Sequence, residues 1–197
     1  MARKSNFDKN QKLLEAMALF WRKGYANTAI SDLVDTLQIN RFSLYNSFGD
    51  KQNLYYMALD AYLEKVSLPP VTSLTGPSAG WPELKTFLIH FANKQKDSSN
   101  GCFMQNAIVE HGGEDEKVLM QGNRLFDLLS EHFCQALTNA QQQKQLSSSL
   151  VPAQLASLLL SQMQGMRVLS KAKRHQDIDA ALNAMISLIE GAPHERH

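Results

Sequence analysis

The stretch from Thr28 to Lys51 constrains the fold of this chain more than any other, because it carries two short helical patterns separated by one tight corner. In the first pattern, apolar residues recur with the spacing of an amphipathic helix, at Ile30, Leu33, Val34 and Leu37. We expect Thr28 to cap this helix, and Asn40 to cap a second helix over residues 41–47. The corner falls at Gln38, where a left-handed backbone costs Gln about 1 kcal/mol more than Gly.

The second helix of this stretch is predicted to have two different faces. Leu44 and Phe48 lie one turn apart and can dock on the first helix. Phe42 and Asn46 then point away from the core, because successive residues advance by about 100° around a helix. The outward face carries Arg41, Phe42, Ser43, Tyr45 and Asn46. A short helix that buries one face and presents such side chains on the other suits the major groove of DNA.

These residues resemble the DNA-binding motif of TetR-type bacterial regulators, and the similarity covers residues 8–60. The family pattern is a Thr-started helix, a small turn, a short recognition helix that ends in Leu/Ile-Tyr-x-x-Phe, a polar pair and a Lys. In this chain the pattern is matched by Thr28, Leu44-Tyr45-Asn46-Ser47-Phe48, Gly49-Asp50 and Lys51, after a helix closed by Gly24-Tyr25.

The resemblance implies an all-α fold in which three helices, within residues 1–50, form a helix-turn-helix DNA-binding head. Residues 51–197 would then hold a connecting helix and a helical body for ligand binding and dimerisation. The implied function is that of a transcriptional regulator, a repressor that binds a palindromic operator in double-stranded DNA as a homodimer. An unidentified small apolar inducer, or modification of a cysteine, would release the repressor from its operator.

Under this interpretation, two sets of residues contact DNA. Base edges would be read by Arg41, Phe42, Ser43 and Asn46. Phosphates would be bound by Thr28, Tyr45 and Lys51. Lys51 follows the predicted capping residue Asp50, so both its charge and the positive end of the helix dipole would favour a phosphate oxygen.

Three positions depart from the family pattern. Leu37 and Gln38 stand where Ala and Gly are common in the turn, and Phe42 occupies a position that often holds a small residue. The sequence of the operator therefore does not follow by analogy with the family.

The basic charge of the chain is concentrated at its N-terminal end. Residues 1–51 hold eight Lys or Arg and five Asp or Glu, a net charge of +3, whereas residues 52–197 have a net charge of −2. This bias is consistent with phosphate contact. The polar arm of residues 1–6, with Arg3 and Lys4, is either a disordered terminus or a basic tail that reaches DNA.

The sequence argues against several other classes of protein. No apolar run approaches the ~20 residues of a membrane span and no signal-peptide layout is present, so we expect a cytoplasmic protein with no membrane partner. Scattered histidines and two distant cysteines predict neither a metal site nor a disulfide framework. We therefore expect no enzyme activity, catalytic residue, cofactor or metal. Two alternatives remain, a thiol enzyme that uses Cys102 and a helical adaptor that does not bind DNA.

Helical periodicity continues through the rest of the chain. The further predicted helices cover residues 8–23, 51–66, 83–96, 102–113, 115–144, 152–173 and 176–190. A proline-rich loop at residues 67–82 would mark a domain junction. The apolar face of the penultimate helix is predicted at Leu155, Leu158, Leu159, Met163, Met166 and Leu169. The last two helices either form a four-helix bundle in the dimer, as the resemblance implies, or close the core of the monomer.

Cys102 is the one residue with a specific chemical argument. It follows Asn100-Gly101 at a predicted helix start, where free N–H groups and the helix dipole stabilise a thiolate. Gly-Cys at this position also resembles TetR-type repressors that respond to N-ethylmaleimide and other electrophiles. The alternative is a small, buried packing residue. If Cys102 is a sensor, it should react with N-ethylmaleimide faster than Cys134. We expect Cys134 to lie deeper in the core than Cys102.

The resemblance also implies a ligand pocket in the body. An interior rich in Met and Phe can adapt to apolar or aromatic molecules, although the same residues could serve as plain core. The predicted lining is Phe87, Phe91, Cys102, Phe103, Met104, Phe126, Met163 and Met166.

Overall fold

A computed structural model describes residues 7–97 and 100–191 of the chain, and within these ranges the protein is all-α, as predicted. The arm that carries Arg3 and Lys4 lies outside the described residues. The α-helices are α1 (Lys9–Lys23), α2 (Ile30–Leu37), α3 (Arg41–Phe48), α4 (Lys51–Tyr62), α5 (Trp81–Asp97), α6 (Phe103–Glu110), α7 (Glu116–Gln142), α8 (Pro152–Lys171) and α9 (His175–Glu190).

Polar residues immediately before the helices set several of their starts. The Asp8 carboxylate accepts a hydrogen bond from the Asn10 N–H at the start of α1. The predicted caps of α3 and α4 are confirmed, because Asn40 accepts from the Ser43 N–H at 2.8 Å and Asp50 accepts from the Asn53 N–H at 2.7 Å. Each bond satisfies one of the backbone donors that an α-helix leaves free in its first turn.

The predicted loop at residues 67–82 contains more regular structure than expected. After α4 the chain makes a π-helical turn over Leu63–Ser67, and a 3₁₀-helix then covers Pro69–Leu74. The loop prediction was therefore wrong for this part, because proline is compatible with the first turn of a helix, where no backbone donor is needed. Helix α5 also begins earlier than predicted, and the Trp81 N–H donates to the Gln145 side chain.

The chain packs into two compact units. The first comprises residues Met1–Ser67 and Cys102–Gly122, and the second comprises Leu68–Gly101 and Asn123–His197. The boundary predicted after residue 50 separates a DNA-binding domain from a ligand-binding and dimerisation domain. It is defined by function, so the packing units do not test it and it stays a prediction.

Aromatic residues dominate the core of the first unit. The Tyr55 ring on α4 lies 5.1 Å from the Phe20 ring and 5.6 Å from the Phe103 ring, centroid to centroid, with nearly perpendicular planes. Such edge-to-face pairs contribute beyond simple burial of apolar area. The helix-turn-helix residues Leu44 and Phe48 are buried in the same unit.

In the second unit α5 packs against α8 and α9, and the Phe87 and Phe133 rings lie 5.7 Å apart. The predicted apolar face of α8 requires one correction, because Leu158 is largely exposed. The buried residues of α8 include Ala156, Leu159, Met163, Met166 and Ser170. Leu158 precedes Leu159 by one residue and is therefore rotated by about 100° out of this face.

Among the described residues, no helix is both long enough and apolar enough to span a membrane.

Candidate nucleic-acid interface and effector region

Helix α3 presents its side chains in the predicted orientation. Leu44 and Phe48 are buried, whereas Phe42 is 75% exposed and Tyr45, Arg41 and Asn46 are also exposed. Ser43 is half-buried. The outward face therefore carries the aromatic and polar groups that could read a DNA groove, while their individual contacts remain predictions.

The corner between α2 and α3 has the backbone expected from the sequence. Gln38 adopts φ 51° and ψ 41°, in the left-handed region, and the next residue, Ile39, is buried. A glycine would adopt this conformation at lower energy. The structure thus retains the strained residue that the sequence places in the turn.

Thr28 does not occupy its predicted place. The N-cap position of α2 is Ala29, and the Thr28 hydroxyl donates a 2.6 Å hydrogen bond back to the Gly24 carbonyl. The Thr28 side chain is fully buried. The predicted cap is therefore wrong, because Ala29 holds that position. The phosphate contact predicted for Thr28 stays a prediction, and the enclosed hydroxyl, whose proton is already donated to Gly24, does not favour it.

Asp32 performs part of the capping role that was assigned to Thr28. Its carboxylate accepts from the Ala29 N–H at 2.8 Å and from the Lys23 ammonium at 2.6 Å. The hydrogen bond from Lys23, followed by that from Ala29, holds the pKa of Asp32 below its usual value. This carboxylate joins the start of α2 to the end of α1, and so helps to fix these two helices of the predicted DNA-binding head relative to each other.

Lys51 begins α4, as predicted, and its ammonium lies 4.2 Å from the centroid of the Tyr25 ring. Partial burial lowers the pKa of Lys51, and the nearby charges of Glu110 and Asp32 oppose that change. The aromatic face attracts the cation and restrains it at the helix N-terminus. The ammonium therefore occupies a defined position where a phosphate oxygen would be favoured.

Glu110, at the end of α6, has a structural role that the sequence did not predict. Its carboxylate accepts hydrogen bonds from the Tyr25 N–H at 2.9 Å and the Ala26 N–H at 2.7 Å. These donors belong to the turn between α1 and α2. A Cβ on Gly24, whose φ is 79°, would lie 3.0 Å from a Glu110 oxygen, so this glycine suits both the turn and the carboxylate.

Two further contacts bind the segment Cys102–Gly122 to α4. The Tyr56 hydroxyl donates to the Asp115 carboxylate at 2.7 Å, and Asp115 also accepts from N–H groups at the start of α7. The Gln121 amide donates to the Tyr56 carbonyl and to the Asp60 carboxylate. Together with Glu110, these contacts connect this segment to both sides of the helix-turn-helix.

Cys102 occupies the predicted helix start but is enclosed. It is the N-cap residue of α6, and its sulfur accepts a 3.5 Å hydrogen bond from the Gln105 N–H. The residue is only 1% exposed. Cys134, expected to lie deeper, is instead half-buried, so that expectation was wrong. Helix α7 presents Cys134 beside its buried face, between the core residues Phe133 and Ala136.

This burial reverses the expected order of thiol reactivity. In the folded protein, N-ethylmaleimide should modify Cys134 before Cys102, because the reagent must reach the sulfur before a thiolate can attack it. Mass spectrometry of briefly labelled wild type would show the order, with single-cysteine variants as controls. In urea the two sites should react at similar rates. Faster labelling of Cys102 in the native protein would contradict the expectation and support its sensor role.

The predicted ligand-lining residues fall into both compact units, where they contribute to the cores. In the first unit Phe103 and Met104 are buried, and Phe103 packs edge-on against Tyr55 and Tyr62. In the second unit the predicted residues comprise buried Phe87, Met163 and Met166 and half-buried Phe91 and Phe126. Their pocket role stays a prediction.

The second unit also contains an open groove of about 410 Å³. Of the predicted lining residues, it includes Phe87 alone. The groove is lined by Pro70, Ser73, Pro82, Glu83, Thr86, Phe87 and His90. Across residues 7–97 and 100–191, no group of three His, Cys, Asp or Glu side chains is arranged to hold a metal ion.

Two family models match separate parts of the sequence. The model described as "Bacterial regulatory proteins, tetR family" matches residues 13–56, which include α2 and α3. The model described as "Tetracyclin repressor-like, C-terminal domain" matches residues 81–186. The second match alone extends over more than half of the chain.

Characterised and uncharacterised regulators show the same similarity. The chain is 27% identical over 149 residues to the uncharacterised HTH-type transcriptional regulator YezE of Bacillus subtilis, covering 75% of this chain and 77% of YezE. It is 32% identical over 103 residues to the HTH-type transcriptional repressor ComR of Escherichia coli, covering 51% of this chain and 49% of ComR.

A solved structure shows the same fold. The TetR family regulator CifR, as a cysteine mutant complexed with 26-bp double-strand operator DNA, superposes with a TM-score of 0.76 at 21% identity. The superposition covers 95% of this chain and all of the CifR chain.

Proposed function

Because the chain belongs to the TetR family and is a DNA-binding transcriptional regulator, we propose that it is a homodimeric repressor released from a palindromic operator by a small molecule. The observation that carries this proposal is the orientation of α3, which buries Leu44 and Phe48 and exposes Phe42, Tyr45 and Asn46. The repressor ComR and the complex of CifR with operator DNA support the same function. Binding to chromosomal DNA would make the protein cytoplasmic.

The proposed DNA contacts follow from the exposed residues. Arg41, Phe42, Ser43 and Asn46 would face base edges in the major groove. Tyr45 and Lys51 would bind phosphates, while Thr28 is left out because its hydroxyl is buried.

The proposed dimer interface lies on α8 and α9. An apolar groove of about 320 Å³ runs along these helices, lined in part by Leu155, Leu158 and Met185. Leu158, Val168 and Leu188 are exposed on the same two helices. Covering such apolar side chains with a second copy would place two reading heads on one palindromic site.

Release is proposed to act through the segment Cys102–Gly122. This segment is joined by the chain to α5 and α7, and Glu110 holds the turn between α1 and α2 through two backbone hydrogen bonds. A ligand that shifts the segment would therefore change the position of the recognition helices and disfavour the operator-bound state. Modification of Cys102 is a second route, which requires its enclosed sulfur to become accessible first.

A salt-dependent shift assay on genomic fragments tests the proposal. We expect selective retention of a few fragments, with footprints of twofold symmetry and two chains per site by light scattering. Binding without sequence preference, or one chain per site, would contradict it. Turnover of peroxide without DNA affinity would instead support the thiol enzyme. If the protein showed neither DNA binding nor peroxide turnover, the adaptor would be supported.

Lys51→Ala should weaken binding to operator and non-operator DNA to a similar degree. Loss of one phosphate contact is expected to reduce the slope of log K against log salt concentration by about 0.9. Lys51→Arg should retain most of the slope. A matched control is Lys85→Ala, because Lys85 lies on α5 and pairs with Glu190 at 2.6 Å. A loss confined to one operator sequence would show that Lys51 reads bases instead.

A further inference from the structure

Arg167 on α8 is a buried cation within the second unit. It is only 6% exposed. Its guanidinium donates a 2.7 Å hydrogen bond to the Gln164 side-chain oxygen and lies 5.3 Å from the centroid of the Phe91 ring. Among the described residues, no carboxylate oxygen lies within 4.0 Å of its side-chain nitrogens.

A guanidinium in this setting lacks the opposite charge that normally accompanies a buried cation. Arginine stays protonated in proteins, so the side chain cannot escape the cost of burial by losing its charge. Buried charges are usually paired with an opposite charge or a metal. An aromatic face and one neutral amide compensate only part of this cost. The described residues supply no opposite charge to Arg167, and an anion bound there would supply it.

The neighbouring residues combine apolar surface with a few polar groups. Met163, Met166 and Ser170 share the buried face of α8 with Arg167. The Ser170 hydroxyl donates to the carbonyl of buried Gln95 on α5. Small-molecule sites in proteins typically have this composition, mostly apolar with a small number of placed polar groups.

We propose that Arg167 binds the carboxylate of the inducer, which is therefore an amphipathic organic anion. The planar guanidinium presents paired N–H donors that match the two oxygens of a carboxylate. The apolar part of the anion would lie against Phe91, Met163 and Met166. This inference rests on the proposed function, because it names the chemical class of the ligand that releases the repressor.

The test compares a series of carboxylates with the amides of the same acids. The probes are aryl-alkanoic acids and straight-chain acids of six to ten carbons, each with its matched primary amide. Readouts are the melting temperature of the full-length protein and release of operator DNA. At least one acid should raise the melting temperature and release DNA, whereas its amide should do neither at the same concentration.

Arginine variants assign the effect to the residue. Arg167→Met should abolish the response to the acid and Arg167→Lys should weaken its binding by at least tenfold. Arg174→Met is the control, because Arg174 is an exposed arginine that pairs with Asp177. It should respond as wild type does.

A measurement without ligand separates an anion site from a structural arginine. If the buried charge is uncompensated, Arg167→Met should unfold at a higher urea concentration than wild type and remain dimeric. A lower urea midpoint, or a monomer, would assign Arg167 a structural role and overturn the proposal. Equal responses to acids and amides, no response to any acid, or a full response in Arg167→Met would also overturn it. In those cases intact operator binding would leave the repressor function standing, whereas its absence in wild type would refute that function.

Discussion

Phe48→Ala should lower the free energy of unfolding of the first unit by about 3–5 kcal/mol, the usual cost of replacing a buried phenylalanine with alanine. Phe48 is the last residue of α3 and is 2% exposed. The Lys9 ammonium lies 5.4 Å from the centroid of its ring. Its removal leaves a cavity beneath the recognition helix. DNA affinity should fall as well, because α3 would lose its fixed orientation.

Urea unfolding followed by tryptophan fluorescence measures this effect. The chain has two tryptophans, and a Trp81→Phe background leaves Trp21 on α1 as the reporter in the first unit. Phe42→Ala is the matched control, since it removes the same side chain from the same helix at an exposed position. It should change the unfolding free energy by no more than about 0.5 kcal/mol. Similar losses in the two variants would mean that α3 does not pack as described.

Features encoded by residues close together in the sequence were predictable. The caps Asn40 and Asp50 are read from a polar side chain just before a helical pattern, and the donor that each satisfies lies three residues later. The faces of α3 follow from the helical period, which alone places Phe42 and Asn46 each about 160° around the helix from Leu44. Both kinds of signal survive because tertiary packing agrees with them.

Thr28 shows where a local signal fails. A threonine hydroxyl can cap the next helix or donate back to a carbonyl four residues earlier, and the local sequence suits both. The structure uses the bond to Gly24, and Asp32 serves α2 from inside the helix. The local sequence alone does not decide between these two hydrogen bonds.

Contacts between distant parts of the chain were not predictable from one sequence. Glu110 lies 84 residues from Ala26, and Asp115 lies 59 residues from Tyr56. No local pattern distinguishes these carboxylates from solvated ones. Burial of Cys102 has the same origin, because a helix start gives the thiol its hydrogen-bond donor without revealing what covers it. The ligand-lining set shares this ambiguity, since an apolar stripe predicts burial without distinguishing a packed core from a pocket.

Phe42→Ala should reduce the preference for thymine at one position in each half of the operator. Phe42 is 75% exposed near the start of α3. Contact with an apolar partner would remove this side chain from water, which is favourable and would stabilise the complex. The C5-methyl group of thymine is the apolar group that the major groove offers. We expect the loss of discrimination to be about 1–3 kcal/mol, because this is the usual contribution of a direct base contact.

Selection from a randomised operator library, followed by sequencing of the bound DNA, measures that preference at every position. Wild type and Phe42→Ala should differ at one symmetric pair of positions, where the variant tolerates any base pair. Lys51→Ala is the comparison, since removal of a phosphate contact should weaken binding without changing the selected sequence. Phe42→Leu should retain part of the preference, because an apolar side chain still reaches the methyl group. An unchanged profile in Phe42→Ala, accompanied by a lower melting temperature, would show that Phe42 packs against its own chain and does not read the operator.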